Sequence, residues 1–168
     1  DGDGTWVQLP KDLLKERSSV SVTTEVKVDA AMRNDFNFLW NVGGENTDEY
    51  FFTTAKDAPR TAITVGSNGG EKSATSSSNL DTGHWTSLTS VLDAEAKTLT
   101  FYVDGEKTGS VKTDLTPADI KDQSLNTIGR SPWPDQLFKG EVSAFRVYPT
   151  ALNEEQVQQE NLADAQIN

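Results

Sequence analysis

Trp133 stands in Ser131-Pro132-Trp133-Pro134-Asp135, a loop stiffened by two prolines. An indole held this way offers a flat apolar face, and a sugar ring presents a matching face of C–H groups. Arg130, Asp135 and Gln136 flank it with donors and acceptors for hydroxyls. The competing reading folds Trp133 back to plug the end of a β sandwich. A second set lies in Glu45-Asn46-Thr47-Asp48-Glu49-Tyr50, where Asn46, Asp48 and Tyr50 bring acceptors and a ring to a strand end. Arg60 follows on an expected facing strand, and sugar binding by this set competes with a solvated acidic hairpin. The opening Asp1-Gly2-Asp3 places two carboxylates about a tight turn, a donor set that suits Ca²⁺ as a structural ion. It lacks the EF-hand spacing and terminal Glu, and a charged, frayed terminus is the alternative.

Other chemistry is excluded by residue type. The chain has 168 residues, no cysteine and one histidine, His84. Disulfides, thiolate metal sites, cysteine nucleophiles and imidazole-rich metal sites are therefore absent. No serine and acid are flagged around His84 to complete a hydrolytic triad, so the expectation is a protein that is not an enzyme. The net charge of −11 repels phosphate backbones and anionic surfaces, which argues against nucleic acid and membrane partners. Neutral polysaccharide or oligosaccharide and divalent cations are compatible with it. No apolar run approaches the roughly 20 residues of a membrane span. The chain opens at Asp1 without a leader, as expected of a mature or excised segment of a secreted or cell-surface protein.

Short strands separated by turns must position these groups, the pattern of a sandwich or barrel. Thr5–Leu9 reads as a first extended piece. In 20–28, Val20, Val22, Thr24, Val26 and Val28 alternate with Ser21, Thr23, Glu25 and Lys27, which predicts a half-buried strand. Further strands are expected at 36–42, 50–54, 60–65, 85–92, 98–103, 107–111, 124–128 and 141–148. Asp104-Gly105 between two of them is a strong hairpin signal. Trp6, Trp40 and Trp85 fall in strand contexts that read as core. Residues 73–79, small and polar, read as a surface strand or loop. Thr116-Pro117 predicts a capped helical turn, and Asn153 with Gln156 three residues on predicts the start of a helix. The tail 158–168 reads as helical or frayed, and the whole of 1–168 as one domain.

Four segments carry a family resemblance. Gly83-His84-Trp85-Thr86-Ser87-Leu88, followed by Leu99-Thr100-Phe101-Tyr102-Val103-Asp104-Gly105, resembles the central hairpin of laminin-G-like domains of the concanavalin A-like superfamily. Leu125-Asn126-Thr127-Ile128-Gly129-Arg130-Ser131 is similar to a later strand of that family. Phe138-Lys139-Gly140-Glu141-Val142, with Phe145-Arg146-Val147-Tyr148 and Ala151-Leu152-Asn153-Glu154-Glu155, resembles its closing block. Gly4-Thr5-Trp6-Val7-Gln8-Leu9-Pro10 resembles its opening. Tyr50–Thr54 leading to Arg60–Thr64, together with 129–135, is similar to modules appended to bacterial glycoside hydrolases. Two departures stand out. Positions where family members place acidic calcium ligands hold Ser143 and Ala144, and family domains usually carry a further strand ahead of the block near Gly4.

The resemblance implies an all-β, two-sheet antiparallel jelly-roll sandwich with a short C-terminal helix. It also implies a non-catalytic carbohydrate-binding module, covalently linked to the catalytic domain of a larger secreted glycoside hydrolase that acts on plant or host glycans. An adhesin or cell-surface interaction domain, or a spacer without ligand, are the alternatives.

Overall fold

Period-two alternation decides the first long strand, but not as a half-buried one. A computed structural model describes residues 1–32 and 36–167. In β2 (Val20–Val28) every residue except Lys27 is buried, because both faces of its sheet are covered. That sheet has five strands in the spatial order β11 (Gly140–Tyr148), β2, β7 (Trp85–Asp93), β8 (Thr98–Val103) and β9 (Glu106–Lys112). The facing sheet has six, in the order β1 (Val7–Gln8), β10 (Thr127–Ile128), β3 (Phe38–Gly43), β4 (Tyr50–Thr54), β5 (Arg60–Thr64) and β6 (Lys72–Thr75). All the pairings are antiparallel, as the jelly-roll reading requires.

The core lies between the sheets. Trp40, Phe51 and Ile63 from one meet Val22, Val26, Leu88, Leu92 and Phe101 from the other, all within a single buried cluster. The Thr53 and Ser90 hydroxyls, 3.0 Å apart, satisfy each other inside it. A β-bulge between Phe38 and Trp40 lets both Leu39 and Trp40 join the core while Phe38 stays outside it. Of the three tryptophans expected in the core, only Trp40 is buried there. Trp6 and Trp85 are half-buried. Each has a cation over its ring, Arg130 at 4.7 Å and Lys27 at 5.2 Å from the centroid, as suits an amphipathic ring at the surface.

The second cover over the five-stranded sheet is α1 (Glu154–Ile167). Asn153 caps it as its spacing predicts: Gln156 N–H donates to Asn153 Oδ1 at 2.8 Å, and Asn153 N–H donates to Gln156 Oε1 at 2.9 Å. Val157 packs on Val91 and Tyr102 of the sheet, a burial that contributes roughly 1.5–3 kcal/mol. Ser21 joins the approach, donating to Thr150 O and accepting from Leu152 N–H. Arg146 of β11 holds the far end through Asp164 at 2.7 Å. The helix runs through the tail expected as helical or frayed, of which Asn168 lies outside the described residues.

Asp104 and Gly105, both at positive φ, make the β8–β9 turn that an Asp-Gly pair favours. A capping box at Thr116 and Asp119 forms the expected short turn Pro117–Asp119. The strand expected over 124–128 shrinks to Thr127–Ile128. Leu125 N–H bonds to Gly43 O, and the Asn126 side chain bridges Gly43 N–H and Pro10 O, so these residues tie loops instead of extending a ladder. Of 73–79, only the first three residues form strand. On β11 the register slips by one residue at Ser143, between Val142 and Ala144.

The sandwich closes where β6 meets β9. A Cβ built on Gly109 would stand 2.6 Å from the Thr75 carbonyl oxygen, so only glycine fits there. Gly109→Ala is expected to lower unfolding free energy by about 1–3 kcal/mol through overpacking. Urea denaturation of the two proteins measures it, and an unchanged midpoint would contradict this packing.

Candidate ligand-binding site

Three aromatic rings on the outer face of the six-stranded sheet form a buried layer, and one of them, Phe38, reaches a pocket above it. Tyr50, Phe51 and Phe52 are consecutive in β4, and strand geometry sends alternate residues to opposite faces. Phe51 therefore enters the core, whereas Tyr50 and Phe52 join Phe38 and Ala62 in a separate outer cluster. Phe38 stacks on Phe52 with ring centroids 4.1 Å apart and planes 8° from parallel. Tyr50 lies 5.4 Å from Phe52 and 6.2 Å from Phe38.

A loop from Gly129 to Phe138 folds over this layer. It is pinched at its base by Phe138 N–H donating to Gly129 O at 3.0 Å and by the Thr127 hydroxyl donating to Arg130 O at 2.6 Å. Inside, Trp133 N–H donates to Ser131 Oγ at 2.9 Å. Pro132 and Pro134 fix φ on either side. Trp133 reaches back onto the outer cluster. Beside this cover lies an open pocket of about 300 Å³ lined by Phe36, Phe38, Arg60, Asn68, Glu71, Trp133, Pro134 and Asp135.

The polar side of the pocket is one connected network. Glu71 accepts from the Tyr50 hydroxyl at 2.7 Å through one oxygen and from the Arg60 guanidinium at 2.5 Å through the other. Arg60 also donates to Ser73 Oγ at 3.2 Å, and its guanidinium lies 4.8 Å over the Phe52 ring. The turn before Glu71 is braced by Thr64, whose hydroxyl donates to Ser67 O and accepts from Gly66 N–H. Burial, and then the hydrogen bond to Glu71, push the Tyr50 phenol well above the ordinary tyrosine range. The phenol therefore stays a neutral donor to Glu71.

The structure divides the residues singled out from sequence. Trp133, Asp135 and Arg60 share the pocket. Tyr50 is fully buried beneath it, so it positions Glu71 and does not meet a ligand directly. Gln136 is exposed and outside the lining. Arg130 lies instead on Trp6, 3.9 Å from Glu45. Asn46 braces its own loop, accepting from Asp48 N–H and Glu49 N–H and donating to Asp122. Asp48 is exposed, and its carbonyl accepts from Ser67 N–H. Neither belongs to the Trp133 pocket; Asn46 borders a separate shallow depression with Asp122. Phe36, Phe38, Asn68, Glu71 and Pro134 were missed. The signal for the aromatics lay in the Tyr50-Phe51-Phe52 run, whose alternate members cannot all face one core.

At the amino terminus, Asp1 accepts from Asp3 N–H and from the Thr5 hydroxyl, both at 2.9 Å. Asp1 and Asp3 are exposed, and among the described residues no group of three His, Cys, Asp or Glu side chains gathers to hold a metal.

A family profile described as the concanavalin A-like lectin/glucanases superfamily, of laminin-G type, matches residues 1–158. The chain belongs to that family. The laminin-G-like fold is shared with the CBM40 domain of a Ruminococcus gnavus IT-sialidase bound to α2,3-sialyllactose. That match has a TM-score of 0.76 and 14% identity, and covers 93% of this chain and 96% of the other. Domain 4 of AbnA, a GH43 extracellular arabinanase from Geobacillus stearothermophilus in complex with arabinotriose, has a TM-score of 0.69 at 20% identity, covering 92% and 71%. NanB sialidase from Streptococcus pneumoniae gives 0.72 at 22%, covering 92% of this chain and 27% of that one. A search of curated protein sequences finds no match. Among the described residues no helix is long and apolar enough to cross a membrane.

Two measurements follow. All three tyrosines of this laminin-G-like chain are shifted upward, Tyr148 to about 12, chiefly by burial. Unfolded tyrosine titrates near 10. A raised folded value leaves the stability contribution intact below about pH 10 and removes it as pH rises through the folded values. Unfolding free energy is therefore expected to fall above about pH 10, less steeply in Tyr50→Phe, and tyrosinate absorbance should lag behind that of free tyrosine; ordinary titration near 10 would contradict the burial. Melting with and without chelator tests the calcium expectation at Asp1 and Asp3: a drop on calcium removal shows a bound structural ion, and an unchanged melting temperature argues against one.

Proposed function

We propose that this chain is a carbohydrate-binding module that acts by binding, not by catalysis. The observation that carries the reading is the pocket itself: Phe36, Phe38 and Trp133 beside the Arg60–Glu71 pair that Tyr50 braces from below, open to solvent on one side of the sheet. Aromatic faces take the C–H face of a pyranose or furanose, and fixed charged groups orient its hydroxyls, the usual composition of a small pre-formed ligand site. About 300 Å³ lies at the small end of such sites, which suits one or two sugar rings. The sialyllactose and arabinotriose held by structural neighbours of the same fold support the carbohydrate class.

The same reading makes the chain part of a secreted or cell-surface glycoside hydrolase acting on plant or host glycans. There its role is to raise the local concentration of a covalently linked catalytic domain on a polymer. The GH43 arabinanase and sialidase neighbours support that placement.

A glycan array with immobilised polysaccharides tests the reading. The wild type is expected to retain at least one oligosaccharide or polysaccharide. Trp133→Ala should weaken retention by roughly tenfold or more, about 1.4 kcal/mol. Since Trp133 also covers Phe38 and Phe52, melting curves accompany the assay. Asp135→Asn, which preserves the packing, is expected to weaken binding too. A wild-type chain that retains no glycan at millimolar ligand would sink the proposal.

A further inference from the structure

We infer that the Trp133 pocket selects uncharged sugars over acidic ones, because its one lining arginine is already committed to Glu71. The inference rests on the carbohydrate-binding reading and specifies its ligand class.

Recognition of a sugar carboxylate needs a cation with a free edge, most effectively a guanidinium presenting two parallel N–H groups. Arg60 is the one cation among the lining residues. Its NH1 is closed on Glu71 at 2.5 Å and reaches Ser73 at 3.2 Å, while its flat face rests on Phe52. Glu71 is held in turn by Tyr50 and is only 11% exposed, so the pair is built into the wall. Turning Arg60 toward an incoming carboxylate would strand Glu71, a nearly buried anion, without its counter-charge.

The remaining charge on the lining is negative. Arg60 is offset by Glu71, and Asp135 adds a second carboxylate. Lys56 has its ammonium 3.7 Å over the Phe36 ring and is not part of the lining. An acidic sugar would thus meet two carboxylates and one neutralised guanidinium, in a chain of net charge −11. Neutral sugars meet the opposite situation. Their hydroxyls donate to Glu71, Asp135 and the Asn68 carbonyl group and bring no charge that must be paired. Selectivity therefore comes from repulsion of the wrong ligand as well as attraction of the right one.

Isothermal titration of the full chain tests this with arabinotriose, xylotriose and lactose as neutral probes, and trigalacturonate and 3′-sialyllactose as acidic ones. At least one neutral probe is expected to bind, with a dissociation constant unchanged between roughly 50 and 500 mM NaCl. Both acidic probes should bind at least tenfold more weakly than it does. Glu71→Gln, if folded by its melting curve, is expected to narrow that gap by at least threefold, since it frees Arg60. An acidic probe that binds as tightly as the best neutral one overturns the selectivity and leaves carbohydrate binding standing. So does a folded Glu71→Gln that leaves the gap unchanged. Failure of every probe, neutral and acidic, removes the binding reading and this inference together.

Discussion

A strand cannot hide three consecutive aromatic rings on one side, and β4 carries Tyr50, Phe51 and Phe52 in a row. The pleat sends Phe51 into the core between the sheets and leaves Tyr50 and Phe52 on the outside. Phe38 reinforces that outer layer through the bulge that sorts it away from Leu39 and Trp40. Apolar surface of this kind needs a cover, and the Gly129–Phe138 loop supplies one with Trp133. The cover is partial, and the gap it leaves is the pocket. The site is thus a by-product of packing: Tyr50 and Phe52 stay buried as its support, while Phe36, Phe38 and Trp133 line the gap above them.

The charged groups depend on that layer as well. Arg60 rests on Phe52, Glu71 is fixed by Arg60 and Tyr50, and Tyr50 is kept protonated by its burial among the rings. A buried pair of this type contributes little net stability, since desolvation offsets much of the attraction. Its consequence is orientation, with both carboxylate oxygens of Glu71 assigned before any ligand arrives.

Much of the architecture was legible in the residues. Alternation in β2 and β8, the Asp104-Gly105 turn, the Thr116 box and the Asn153 cap are all local signals, and each forms as read. What alternation cannot reveal is what lies on the polar side of a strand. Ser21 and Thr23 look solvent-facing in sequence, yet both are buried, Ser21 bonded to Thr150 and Leu152 ahead of α1 and Thr23 paired with Thr89 of β7. The site was half legible for a related reason. Trp133, Asp135 and Arg60 announce themselves by type and setting, whereas Glu71 becomes significant only when the β5–β6 turn brings it opposite Tyr50. Arg130 and Asn46 looked equally promising but spend their hydrogen-bonding and cationic capacity on Trp6 and on their own loop. Sequence gives neighbours along the chain and is silent about which partner claims a side chain first.

The slipped register at Ser143 bears on how such domains behave in a crowd. β11 is nine residues long and forms the outer strand of its sheet, where a straight, unbroken row of backbone groups would serve as a template for the next molecule. One bulge interrupts the hydrogen-bonding repeat and twists the strand locally, so a second copy cannot zip along its length. Copies crowded together would then remain separate molecules, without fusing edge to edge into an aggregate.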